Sequence, residues 1–408
     1  MSTREIAGET PSARPALQPR AMRLVCLIGL TLGLCYLIIL GGTMLKGDFL
    51  IDGERRPIAN DFVNVVAAGR LALDGEPAAA YDWPIHKQAE VRAVGHDFDN
   101  YYGWHYPPTF LFVAAALATL PYLAAALVWL GATLAAYAVA LGAVLGCRTG
   151  LAVAFGFPAV LWNITAGQNG CLTAALIGGT LGLLERRPVL AGVCLGLLTY
   201  KPQFGLLFPF ALIADRRWCT LATAAATASL LIASSWLVFG AASWQAFADW
   251  MPITSQVVLG EGRADWSRLQ SVFGLVRAYG GSAQLAWGLQ LAASLATLVG
   301  VTWLWRGRAP FDLKAAALAA GTLVATPYLY MYDLVVLAVA VAFLIRFALE
   351  RGFMAGEVFG LGGAAALVLI FPVVKTQVGL AAVLIVMLLV VQRAVCSIGP
   401  TKLHVALQ

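Results

Sequence analysis

Charged residues are scarce in this chain of 408 residues: Asp, Glu, Lys and Arg make up 12% of it, against about 25% in a soluble protein. With 60% apolar residues and a mean hydropathy of +0.80, that shortage excludes a water-soluble globule, whose surface would aggregate. No CxxC pair occurs among the seven cysteines, so there is no metal knuckle and no disulfide framework. They read as small core hydrophobes. HExxH, GxSxG and Walker loops are missing too, which removes the zinc-protease, serine-hydrolase and P-loop classes. A DxD appears once, as Asp97-Phe98-Asp99, in a polar patch assigned to the outer side, where nucleotide sugars are absent. The net charge of +6 could suggest nucleic acid. Its basic residues fall in short clusters between apolar runs, however, so they set membrane orientation and no nucleic acid is expected.

What is abundant is apolar sequence. Runs occur at 24–45, 122–146, 151–164, 170–184, 188–200, 203–214, 219–239, 283–305, 313–327, 330–349, 357–374 and 377–395. Several are shorter than the roughly 20 residues of a simple span, and Gly and Pro breaks need protein neighbours to satisfy the freed backbone. The expected fold is an all-α integral membrane bundle of about twelve transmembrane helices. Residues 1–23 read as a disordered cytoplasmic tail, 24–396 as the membrane domain and 397–408 as a second cytoplasmic tail. Arg14, Arg20, Arg23, Arg148, Arg186, Arg187, Arg216, Arg217, Arg306, Arg308, Arg351 and Arg393 fall at every second boundary. Placing them in the cytoplasm puts both termini inside. The run 108–120, too short for a span and ended by Pro121, reads as a re-entrant or half-crossing piece.

The opposite face then carries a long first loop, 46–107, a second loop, 240–282, and the segments "GQNG" (167–170), "YKPQ" (200–203), "TPYLYMYD" (326–333) and "VKTQ" (374–377). The first loop holds 10 of the chain's 21 acids, so acid chemistry is sought there first. In "NDFVNVVAAGRLALDG" (60–75), Asp61 heads a short amphipathic helix that can rest one face on the membrane surface. Two readings stand together: an N-cap accepting backbone N–H groups, or a general base whose pKa is raised at the edge of a water-poor cavity. His105, before two prolines, is a phosphate or hydroxyl ligand, or part of an interfacial anchor with Tyr106. Gln168 and Asn169 offer amides to sugar hydroxyls or merely connect two helices. Asn163 forms a glycosylation sequon, which matters only in a eukaryotic lumen. Lys201 lies between two apolar runs, at a cost of roughly 2.5–3.5 kcal/mol unless it snorkels or meets an anion such as a lipid phosphate. Arg268 and Arg277, with Trp244, Trp250 and Trp266 nearby, fit an interfacial belt or a headgroup site. Asp333, beside Tyr328, Tyr330 and Tyr332, is a further site candidate or a cap.

The order "DF…AGRLALDG…YD…YPP…GQN…RRPVLAG…YKPQFGLLFP…SW…FG…QSVF…YD" resembles the pattern of glycosyltransferase family 87, which includes polyprenol-phosphate-mannose-dependent mannosyltransferases. The resemblance runs from about residue 24 to 350 and is specific in "GQNG", "ERRPVLAG" and "YKPQ". It implies a GT-C bundle whose first outer loop, with its short interfacial helices, carries the catalytic acid, here Asp61. Tyr200, Lys201, Gln168, Asn169, His105, Arg268, Asp333 and Tyr330 are the candidate substrate and donor-phosphate residues; the role of Asp82 stays open. The expected activity is inverting, metal-independent transfer of mannose or another hexose or pentose from a polyprenyl-phosphate donor to a lipid or glycan acceptor. It needs no cofactor and works at the periplasmic face of the inner membrane, among membrane lipids. The rival class is a transporter or flippase, which should carry polar residues deep in its spans and internal symmetry. The polar segments here gather on one side. A non-catalytic assembly protein is the third reading, if Asp61 is only a cap.

Overall fold

In lipid every backbone amide must be satisfied inside the protein, which leaves helices or closed barrels as the spanning structures. The computed structural model, which describes residues 18–45, 59–262 and 265–398, takes the first solution: it is helical, with no strand among the described residues beyond one isolated bridge between Leu269 and Tyr330. Each of the apolar runs becomes a helix or a bent pair of helices. Six helices are long and apolar enough to cross a membrane, or seven if the bent pair Cys147–Gly156 and Ala159–Ala166 counts as one span. The expected tails and the start of the first loop lie wholly or partly outside the described residues.

The bundle has a centre and a periphery. Phe311–Val324 is buried from Asp312 onward, and it packs on Val335–Arg351. Five alanines between positions 315 and 320 let the two backbones approach closely, which is how helices associate where no hydrophobic drive separates them from lipid tails. Outside them, Gln18–Leu45, Trp218–Ser255 and Ala283–Arg306 expose Leu37, Leu237 and Val299, side chains that water would reject and lipid accepts. All seven cysteines are free. Cys171 is buried, but Cys35, Cys147, Cys219 and Cys396 are exposed, so most are not the core residues expected, because a lipid-facing site accepts a thiol as readily as a core does.

The basic ends are tied by ion pairs. Lys314 Nζ lies 2.8 Å from Asp215 Oδ1, Arg346 pairs with Asp312, and Arg393 pairs with Glu357. At the opposite end the first loop folds down as helices. Phe62–Leu73 has nine of its twelve residues buried, more than the single face expected, because Leu111–Ala118 and Trp83–Val94 pack on it. Pro108–Phe110 and Leu111–Ala118 together cover eleven residues, about 16 Å of rise, so this piece does not span. The chain expected to leave the membrane at residue 240 stays helical to Ser255, with a kink at Gly240. Its φ of 78° bends the long helix there, a conformation that glycine alone adopts without strain.

Candidate active site

Asp61 stands at the N-cap position of Phe62–Leu73 but does not cap it. Its backbone is already helical (φ −79°, ψ −14°), and its side chain accepts no hydrogen bond from the first turn. A capping residue needs an extended backbone to fold its side chain back. The carboxylate turns instead to the turn after Ala159–Ala166. There Gln168 Nε2 donates to Asp61 Oδ2 at 2.9 Å, and the Asp61 backbone N–H donates to Ala166 O.

Gln168 extends the network. Its Oε1 accepts the Tyr106 hydroxyl at 3.2 Å, and Asn169 Nδ2 donates to that same hydroxyl at 2.7 Å. Tyr106 is therefore the hub of an Asp61–Gln168–Tyr106–Asn169 chain. It is buried, not the interfacial anchor its place before two prolines suggested, because those prolines direct the chain inward. Tyr81 Oη in "YDW" fixes it from outside by donating to Tyr106 O at 2.8 Å. Asn163, buried, accepts the Gly170 N–H at 2.6 Å through Oδ1, so its sequon is structural. Asp82 caps Trp83–Val94 by accepting from the Ile85 N–H.

Lys201 does not snorkel. It is buried at the break between two helices, with Nζ 2.7 Å from Asp333 Oδ1 and 5.2 Å from the Tyr332 ring centre. Asp333 also accepts the Tyr330 N–H at 3.2 Å. Tyr330 and Tyr332 stack, with ring centres 5.4 Å apart. Tyr200, the residue before Lys201, is buried; its hydroxyl lies 2.6 Å from Thr173 Oγ1, and its ring stacks on Phe110. Gly170 allows this assembly: a Cβ there would sit 2.0 Å from Tyr332 O. The final glycine of "GQNG" thus admits the "YLYMYD" turn at van der Waals contact.

Asp61, Tyr330 and Tyr332 each keep accessible surface within this packed group, a side from which a substrate could approach. Burial raises the Asp61 pKa above the ordinary carboxylate range. The Gln168 hydrogen bond and the charges of Arg268 and Lys201 oppose the shift. Arg268 is exposed and makes no ion pair among the described residues. Asp61 and Asp333 thus share this region with Arg268 and Lys201, Lys201 being paired with Asp333.

His105 is not brought to this group. Its Nδ1 lies 3.1 Å from Thr254 Oγ1 and its ring stacks on Trp250; burial lowers its pKa to about 4, so it is neutral near pH 7. Sequence reasoning also missed a pair beside it. His86 and Glu90 are fully buried, with Nε2 and Oε1 3.8 Å apart. Burial pushes Glu90 up to about 8 and His86 down to about 3, so near neutral pH the pair is mostly uncharged. Glu90 was visible only as one of ten loop acids; its i, i+4 spacing from His86 was the available signal.

The family model described as Glycosyltransferase family 87, a GT-C type family, matches residues 104–327, more than half of the chain. His105, Gln168, Asn169, Tyr200, Lys201 and Arg268 lie inside the match. Asp61, Tyr330 and Asp333 lie outside it and reach the site through the contacts above. No curated protein and no solved structure matches.

Proposed function

The chain belongs to glycosyltransferase family 87, and from that premise and the site geometry we propose that it transfers a sugar from a polyprenyl-phosphate donor to a hydroxyl of a lipid or glycan acceptor, at the periplasmic side of the inner membrane. The observation that carries this reading is the grouping of Asp61, held by Gln168, with the charges of Lys201 and Arg268, which we read as lining one hollow.

Each group has a part in the chemistry. The acceptor oxygen attacks the anomeric carbon while its proton passes to an Asp61 carboxylate oxygen; the bond from that carbon to the phosphate oxygen breaks, and its electron pair leaves with the phosphate. The configuration inverts. A raised pKa suits Asp61 to take that proton near neutral pH. Arg268 and Lys201 stabilise the charge that grows on the leaving phosphate, an interaction that strengthens as water is excluded. Gln168 fixes the carboxylate, and the Tyr106–Asn169 pair fixes Gln168.

Depth supports a lipid-linked donor. Gly170–Leu183 and Phe311–Val324 have fourteen residues each, about 21 Å of rise, against a hydrocarbon core of about 30 Å. Each joins a basic boundary to a polar segment of the site. With the basic ends in the cytoplasm, the hollow is recessed into the outer half of the membrane, where a prenyl-phosphate head can reach it.

The test is Asp61→Asn in protein purified into nanodiscs and supplied with polyprenyl-phosphate sugars, with and without chelator. Asn keeps an acceptor for Gln168, so folding should survive, while loss of a general base lowers the rate about 10²–10⁴-fold. In the wild type the rate should fall as pH drops through the raised Asp61 pKa, because the protonated acid accepts nothing. Release of polyprenyl phosphate by Asp61→Asn at the wild-type rate would end the base assignment.

A further inference from the structure

The short turn that presents Arg268 to the hollow, Trp266–Arg268, also forms a wall of a second space. A pocket of about 380 Å³ is lined by Asp265, Trp266, Tyr279, Lys375 and Gln377, among others. Its size falls within the range of small-ligand sites, about 300–1,000 Å³. We propose that this pocket binds a neutral saccharide, the distal sugar units of a glycan acceptor whose reacting end lies in the Asp61 hollow. The role as an acceptor subsite rests on the glycosyltransferase reading; the saccharide site does not.

Three observations point to a sugar. First, the pocket pairs aromatic faces with polar edges. Tyr279 is 75% exposed, an unusual surplus of ring surface for a surface loop, and its hydroxyl lies 3.3 Å from Thr376 Oγ1. The Arg277 guanidinium lies 4.3 Å from the Trp266 ring, and Arg277 donates to Gly281 O and Gly260 O. Two of the Arg277 nitrogens are thus engaged inside the loop. An aromatic ring receives the C–H face of a sugar, while carboxylate, amide and hydroxyl groups serve its ring of hydroxyls.

Second, the charge balances: the lining holds one acid, Asp265, and one base, Lys375. An anionic headgroup would want a surplus of cations. Third, the backbone is strained there. Of the four non-glycine residues with positive φ in the described chain, two, Asp265 at 62° and Lys375 at 44°, line this pocket. Such conformations persist where surrounding structure holds them, and they gather at binding sites.

The pocket is rigidly joined to the catalytic hollow. Gln270 N–H donates to Leu329 O at 2.6 Å, Ser271 Oγ donates to Pro327 O at 2.8 Å, and Leu269 bridges Tyr330. On the pocket side, Gln377 Nε2 donates to Trp266 O at 2.9 Å. One short segment, 266–271, therefore forms a wall of the pocket and braces the turn that carries Tyr330 and Asp333.

The experiment uses the full chain in nanodiscs and a panel of di- and trisaccharides of mannose, glucose, galactose and arabinose, read by saturation-transfer NMR and titration calorimetry without donor. At least one sugar should bind the wild type and bind Tyr279→Ala and Trp266→Ala about tenfold more weakly, the scale of one lost aromatic contact. Trp266→Phe should keep most of the affinity, and Asp61→Asn should keep it all. Tyr279 is too exposed for its loss to unfold the protein, so that variant stands if Trp266→Ala misfolds. In transfer assays the same changes should raise acceptor KM and leave kcat within about twofold. Binding by no member of the panel, binding indifferent to both aromatics, or occupancy only by anionic lipid overturns the proposal. Aromatic-dependent sugar binding in a protein that never releases polyprenyl phosphate keeps the pocket and removes the enzyme reading.

Discussion

Breaking the Lys201–Asp333 pair separates what the pair does for the fold from what Lys201 does for a donor. The two groups lie 2.7 Å apart with side chains 8% and 1% exposed. At an effective dielectric of about 20, that distance gives an attraction of about 6 kcal/mol before the cost of burying both charges. Lys201→Met leaves Asp333 buried with the Tyr330 N–H as its hydrogen-bond donor, and Asp333→Asn leaves an ammonium among the Phe204 and Tyr332 rings. Each single change should cost about 3–5 kcal/mol, whereas replacing a buried pair together is often close to neutral. In the double variant Met fills the lysine stem and Asn still accepts from Tyr330. The coupling between the two sites should therefore be at least about 2 kcal/mol.

Thermal unfolding in nanodiscs, followed by tryptophan fluorescence, orders the three variants: both singles should melt well below the double. A double variant no more stable than its weaker single would refute the argument, since the sites would then be independent. Activity of the double variant carries the second half. A folded protein with a raised donor KM supports Lys201 at the donor phosphate. An unchanged donor KM leaves the pair a structural brace and shifts the phosphate role to Arg268.

Two further outcomes follow from packing and burial. Gly170→Ala drives a methyl to within 2.0 Å of Tyr332 O, so it should cost about 1–3 kcal/mol or more by overpacking and depress transfer, because the "GQNG" and "YLYMYD" turns can no longer close; wild-type melting and activity together would refute that contact. Glu90, raised by burial to about 8 from an ordinary 4.5, binds its proton more tightly folded than unfolded. Its contribution is complete below pH 4.5 and is lost as pH rises toward 8, by at most about 1.4 kcal/mol per pH unit. Glu90→Gln should flatten the fall in melting temperature across that window; parallel curves would contradict it.

The helices were legible in the sequence, and the pairings between them were not. Apolar runs broken by Gly, Pro and polar segments locate helix ends because lipid leaves the backbone no other solution. The gathering of "GQNG", "YKPQ" and "TPYLYMYD" toward one end follows from the same alternation. What no local pattern carries is the partner of Lys201, 132 positions away, or of Asp61, 107 positions away. Tyr106 was misread for the same reason, since a tyrosine before prolines looks alike whether it anchors at the interface or turns inward.

Asp61 shows where a local rule fails to useful effect. Its place before Phe62 predicts a cap, and a cap would have satisfied the sequence completely. The helical backbone at Asp61 leaves the carboxylate without those N–H partners, in a hollow where burial disfavours its charge. A fold that only needed a helix start would have had the carboxylate folded back onto its own first turn, where it stabilises by about 1 kcal/mol. That gain is forgone here, where the acid meets the Gln168 amide and the charges of Arg268 and Lys201. The carboxylate gains instead the Gln168 hydrogen bond, 107 positions away, and such a departure from a local rule is what a functional site is expected to show.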